Sequence, residues 1–200
     1  MAIREIITLP NPILRQKARK LKEIDSDLQT LIDDMIDTMR DEPGVGLAAP
    51  QVAESIRLVV VEYARESENG EPEEKQKLYV VINPEITKPS SDMVVGIEGC
   101  LSIPGLVGEV NRHESLAIKG LNRYGKPIKI KASGWLARIF QHEIDHLNGM
   151  RILDRVVDTT IRAEKKIGRN NLVTIKKGDV VKVLKYKKAE KLIKEGWILK

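Results

Sequence analysis

Two of the three histidines in this 200-residue chain fall within five positions, His142-Glu143-Ile144-Asp145-His146. On a helix, side chains four residues apart lie one turn apart on the same face, so both imidazoles can reach one cation. Glu143 is the i−3 neighbour of His146 and lies beside the pair, placed to pass protons without ligating the ion. Three residue types at fixed helical spacing form a fairly specific signature of metal-assisted hydrolysis. The competing reading is a solvated polar helix face, with Ile139, Phe140, Ile144 and Leu147 turned to the core and the histidines incidental. The crowding of histidine into one turn argues against it.

Two imidazoles do not hold an ion tightly, so a third ligand is required. Gly149 sits where a metzincin-type motif would continue, but Ile152 stands in place of that motif's third histidine. A thermolysin-like site would use a downstream carboxylate, for which Glu164 is the candidate. Upstream, Cys100 is the single cysteine, which excludes an internal disulfide and leaves either buried filler or a functional thiol. A thiolate with two imidazoles leaves one tetrahedral position open, the mark of a catalytic site. A structural site would be closed by a fourth protein ligand.

These groups need a scaffold. Residues 12–40 read as a helix with its connection, with Ser26 and Gln29 fitting a capping box and Leu28, Leu31, Ile32, Met35, Ile36 and Met39 at helical spacing. Pro43-Gly44 breaks it. Leu58 to Glu62 and Leu78 to Ile82 read as strands, and Glu66 to Lys77, with Asn69-Gly70 and Pro72, as an exposed hairpin loop. Further strands are expected at 92–98, 107–112, 115–121 and 127–132, with Arg123 to Lys126 as a turn. Gly134 to Asn148 reads as the second long helix, stopped by Gly149. The expected fold class is α+β, mostly antiparallel sheets packed around the helix that carries the histidine motif.

Composition sets outer bounds. A hydrophobic fraction of 42% and a charged fraction of 32% are ordinary for a globular protein. No apolar run approaches the roughly 18 to 20 residues needed to span a bilayer. The N-terminus lacks the layout of a signal peptide, which leads to an expected cytoplasmic location and no membrane partner. The net charge of +5 is uneven: residues 172–200 carry nine Lys, one Asp and two Glu, a local +6, and the remainder nets −1.

Three segments, in order and at characteristic spacing, resemble the peptide deformylases of bacteria and organelles. They are Gly44-Val45-Gly46-Leu47-Ala48-Ala49-Pro50-Gln51, Glu98-Gly99-Cys100-Leu101-Ser102, and Gln141-His142-Glu143-Ile144-Asp145-His146-Leu147. The resemblance runs from about residue 3 to about residue 158. It implies hydrolysis of the formyl group from the N-terminal formyl-methionine of newly made polypeptides, with release of formate. It implies Cys100, His142 and His146 as ligands of one divalent metal, ferrous iron in the cell, with zinc, nickel or cobalt able to substitute. The ligand set alone points first to zinc. By the same resemblance Glu143 serves as proton shuttle, the Gln51 amide and the Leu101 N–H as oxyanion donors, and Val45, Gly46 and Gly99 as backbone partners for a substrate bound as an added strand. Val107 stands where some relatives carry an arginine that touches the distal substrate backbone, so that contact is not carried over.

The expected division is a catalytic body over 1–168 and a basic extension over 169–200, packed on the body. In the extension, Val173 to Ile175, Val180 to Leu184 and Trp197 to Leu199 read as strands and Lys187 to Glu195 as a short helix. Its lysines suggest a contact with the ribosome, against the plainer reading of a solvated edge. Asp145 reads either as a carboxylate orienting a nearby arginine such as Arg112 or as a surface charge. A zinc endopeptidase on the same helix, and a ribosome- or RNA-binding module with a closed structural metal, are the alternatives.

Overall fold

Leu58, Val59, Val60 and Val61 are consecutive, and all four are completely buried. A strand points successive side chains to opposite faces, so an unbroken apolar run requires cover on both sides. The computed structural model, which describes residues 2–42, 44–64, 76–163, 172–177, 180–185, 187–189, 192 and 198–199, supplies that cover with two helices. Helix α1 (Ser26–Asp41) brings Leu31, Ile32, Met35 and Met39 against Leu58, Val60 and Ile82. Helix α2 (Gly134–Leu147) brings Ala137, Phe140, Ile144 and Leu147 against Val59, Val61 and Val81.

Between the helices lies a five-stranded sheet of β1 (Gly46–Ala48), β2 (Leu58–Tyr63), β3 (Lys77–Thr87), β6 (Ser115–Leu121) and β7 (Pro127–Ser133). The spatial order is β1-β2-β3-β6-β7, and every neighbouring pair is antiparallel. A second sheet, β4-β5-β8, contains β4 (Met93–Cys100), β5 (Ile103–His113) and β8 (Val156–Ala163). The architecture is α+β and antiparallel, and no described helix is long and apolar enough to cross a membrane.

Several expectations change in detail. Helix α1 is capped by Asp25, whose carboxylate accepts from the Leu28 N–H at 2.8 Å, and not by Ser26. Aspartate is an equally good cap, and it takes the role because its backbone is the extended one. Gln29 turns away to bind the carbonyl of Arg123 at 2.7 Å. The stretch before α1 is not helical: Pro12–Arg15 forms one 3-10 turn, and Arg19 bridges to Ile56. Strand β5 starts at Ile103, four residues earlier than its β-branched run suggests, because Leu101-Ser102 alone makes the turn from β4. Strand β8 has no counterpart among the expected elements. The exposed loop expected at Glu66 to Lys77 lies largely outside the described residues.

Helix α2 ends as its sequence predicts. Gly149 takes φ +72°, its N–H donates to the His146 carbonyl at 3.1 Å, and the Met150 N–H donates to the Asp145 carbonyl at 2.9 Å. This is the Schellman closure that glycine favours.

The chain divides into two compact units, Met1–Arg162 and Ala163–Lys200. In the second, β9 (Leu172–Lys177), β10 (Val180–Lys185) and β11 (Ile198–Leu199) form a small antiparallel sheet in the order β10-β9-β11. Of the helix expected at Lys187 to Glu195, residues 187–189 and 192 are helical and the rest lie outside the described residues. Glu164 and Trp197 also lie outside them.

Candidate metal centre

Helix α2 presents His142 and His146 on one face, as the four-residue spacing requires. Their Nε2 atoms converge to 3.3 Å. The third group comes from the end of β4, where Cys100 Sγ lies 3.3 Å from His146 Nε2. The three donor atoms all fall within 4.8 Å of one another, and all three residues are buried or nearly so. Sequence separation hides this meeting: Cys100 and His146 stand 46 positions apart, and the β4-β5 sheet brings them together.

The electrostatics suit a cation. Burial pushes the Cys100 thiol up, but the facing His146 and His142 outweigh it and bring the thiol down to about 5, so thiolate prevails at neutral pH. Burial opposes charge on His142, yet hydrogen bonds to Cys100 and Glu98 hold it well above its usual value. A ring that donates Nδ1–H to Glu98 presents Nε2 to the centre. A thiolate and two imidazoles fit a divalent transition metal, and Glu143 Oε2 beside them is buried without a hydrogen-bond partner among the described residues.

Glu143 is 5% exposed, and burial raises its carboxyl pKa against the opposing pull of His142 and His146. That is the direction expected for a group that must accept and release a proton near neutrality. It lies against β1: a Cβ added at Gly46 would meet Glu143 Oε1 at 2.5 Å, so any larger residue there would have to push the carboxylate aside.

Gln51 is 2% exposed and reaches the centre from a 3-10 turn, Ala49–Val52. The Ala48 N–H donates to Gln51 Oε1 at 2.8 Å, which fixes the orientation of the amide. Its Nε2 therefore points inward, toward Ser102 Oγ at 3.4 Å and Cys100 Sγ at 3.8 Å. Leu101 follows Cys100 in the two-residue turn between β4 and β5. Val45 is 41% exposed and accepts from the Glu62 N–H at 2.9 Å, and Gly99 is exposed on β4 opposite Val107. Gly46 lies against Glu143, and Gly99 directly precedes Cys100 on β4.

Sequence reasoning passed over the support beneath the ligands. Glu98 accepts from Arg112 Nε and Nη2 at 2.9 Å each, from Arg138 Nη1 at 2.9 Å and from His142 Nδ1 at 3.0 Å. Arg112 also donates to Asp145 at 2.5 Å, and Arg155 grips the other oxygen of Asp145 at 2.9 Å. Asp145 is therefore buried and paired with Arg112, not a surface charge. Arg138 also donates to the carbonyls of Val110 at 2.8 Å and Val94 at 2.6 Å. It passes over Gly96, where a Cβ would lie 2.8 Å from the guanidinium carbon. One signal in the sequence points to Glu98: it stands two residues before Cys100 on a strand, hence on the same face.

Residues 3–162 match the family model described as polypeptide deformylase. Proteins named peptide deformylase from Dehalococcoides mccartyi and Thermodesulfovibrio yellowstonii are 49% and 47% identical over 156 residues. Each alignment covers 78% of this chain, and 87% and 90% of the respective relative. Among solved structures, the peptide deformylase of Legionella pneumophila superposes with a TM-score of 0.68 at 44% identity, covering 78% of this chain and 86% of that one. The Met-Ala-Ser-bound enzyme of Acinetobacter baumannii gives 0.71 at 36%, covering 78% and 99%. A match over this much of the chain, on a fold that gathers a thiolate and two imidazoles around a buried glutamate, makes the chain a member of the peptide deformylase family, metal-dependent hydrolases that remove the formyl group from the N-terminal formyl-methionine of nascent polypeptides.

Proposed function

We propose that Cys100, His142 and His146 hold one divalent metal, ferrous iron in the cell, and that Glu143, Gln51 and Leu101 carry the chemistry around it. The observation that carries this reading is the convergence of Cys100 Sγ and the two Nε2 atoms beside Glu143, whose Oε2 has no partner among the described residues. The ion, when bound, supplies the Lewis acidity that lowers the pKa of water to about 7 and polarises a carbonyl. Glu143 accepts the proton of the attacking water as its oxygen bonds to the formyl carbon. The Gln51 amide and the Leu101 N–H donate to the oxygen that gains charge. When the carbon–nitrogen bond breaks, Glu143 returns the proton to the leaving amine and formate departs.

Val45, Gly46 and Gly99 pair with the substrate backbone as neighbouring strands would, a mode of recognition that tolerates any sequence after methionine. The reading includes a cytoplasmic location, where nascent chains are made. Nickel, cobalt or zinc can replace iron, but a ferrous thiolate site is sensitive to oxygen. Protein purified anaerobically is expected to release formate from formyl-Met-Ala-Ser and to lose most of that activity in air. The nickel-loaded form is expected to keep it. Equal stability of both forms in air would rule out iron as the resident ion.

A second element of the proposal is a catalytic body over 1–168 with a basic extension over 169–200 that contacts the ribosome. The local net charge of +6 over residues 172–200 supports it, because ribosomal RNA is a polyanion. A chain ending at residue 168 is expected to release formate from a short formyl peptide at the wild-type rate but to cosediment less with ribosomes at low salt. Unchanged, salt-sensitive cosedimentation would remove the extension from that role.

A further inference from the structure

We propose that the β6–β7 hairpin of the catalytic body binds RNA, its lysines taking phosphates and Tyr124 stacking on an unpaired base. This goes beyond the deformylase activity and does not depend on it. Residues 115–133 contain Lys119, Arg123, Lys126, Lys129 and Lys131 and no acidic residue. Residues 1–171 net −1, so the hairpin's +5 stands against −6 on everything else in that stretch. The charge is concentrated, not dispersed.

Its placement follows from the fold. Helix α1 packs on Leu47, Leu58, Val60 and Ile82, with Leu121 at the border of that cluster. Lys119 lies two residues from Leu121 on the same face, and Lys129 stands directly opposite Lys119 in the register. Lys131 follows about 6.7 Å further along the strand. The helix therefore covers one half of the face, while the β6–β7 half presents three exposed lysines. Like charges directly opposite one another are unfavourable in a sheet. None of the three forms an ion pair among the described residues; Glu85, the cross-strand neighbour of Lys119, feels its charge but bonds Lys20 at 2.6 Å. A polyanion laid across the face would relieve that repulsion and release its own counterions.

The tip adds a second kind of contact. Tyr124 is 74% exposed, the most exposed of the large apolar side chains among the described residues. It is held out on a rigid turn. Asn122 Oδ1 accepts from the N–H groups of Tyr124 and Lys126 at 3.0 Å each, and Gly125 takes φ +80°. Arg123 ties the turn to α1 through Asp33 at 2.8 Å and Gln29 at 3.0 Å, with its guanidinium 5.9 Å from the Tyr124 ring. A pre-ordered aromatic ring beside a basic face is the arrangement that recognises unpaired bases. An acidic peptide or an anionic lipid surface offers charge but no row of flat rings to stack on it.

The test is binding of the full chain to a fluorescein-labelled 12-nucleotide single-stranded RNA, by anisotropy across a salt series. Combined Lys119→Gln, Lys129→Gln and Lys131→Gln is expected to weaken binding and reduce the slope of log affinity against log salt by about 2, at roughly 0.7 per phosphate. Tyr124→Ala is expected to weaken binding about 5- to 100-fold with the slope unchanged. Formate release from a short formyl peptide should stay at wild-type level in both, which establishes intact folding. An unchanged slope in the triple variant would overturn the proposal and assign binding to the basic stretch 172–200. Binding of phosphatidylserine vesicles in preference to RNA would overturn it too.

Discussion

Replacing Glu143 with glutamine is expected to lower kcat for formate release by about a hundred- to ten-thousand-fold, with metal content and thermal stability close to wild type. Glutamine keeps the volume of a side chain that is 5% exposed, so packing should survive. What it removes is the capacity to accept a proton from water and hand it to the leaving amine. Among the described residues Glu143 Oε2 has no hydrogen-bond partner, and Glu98, whose charge reaches it, is held by Arg112, Arg138 and His142 and is not free to take its place. The measurement is single-turnover formate release, with metal assayed in the same samples. Gly46→Ala should reproduce part of the defect by displacing the carboxylate, since its new Cβ would otherwise sit 2.5 Å from Glu143 Oε1. Near-normal turnover in Glu143→Gln with full metal occupancy would refute the proton-shuttle role.

Glu98→Ala is expected to destabilise the body by about 3–5 kcal/mol, because it strips the shared partner from two buried guanidiniums. It should also weaken metal binding about 10- to 100-fold, since His142 loses the carboxylate that orients its ring. Burial alone would raise the Glu98 pKa, but hydrogen bonds from Arg112 and His142 outweigh it and hold the group at about 2. A folded-state value below the ordinary 4.5 means the stabilisation is complete above 4.5 and is lost as pH falls through about 2. Urea unfolding of metal-free protein isolates the first effect, and competition with a chelator isolates the second. If metal-free Glu98→Ala unfolded at the wild-type urea concentration, the carboxylate would not hold this network together.

The helix face that carries His142, Glu143 and His146 was legible from residue order alone, because the helical repeat sets which side chains share a face whatever surrounds them. So were the closure of α2 at Gly149 and the strand that begins at Leu58, set by local backbone preference and by a β-branched apolar run. Among the described residues, it is the packing of β4 against α2 that brings Cys100 Sγ to the two histidines, a meeting across 46 positions that spacing does not reveal. Tertiary structure likewise decided that Asp145 is buried against Arg112 and that Glu98 gathers Arg112, Arg138 and His142. Those contacts join residues 14 to 44 positions apart through the pairing of β4 with β5 and the docking of α2. Periodicity reports which way a side chain points; it carries no information about which distant side chain it will meet, since that depends on the packing of whole elements.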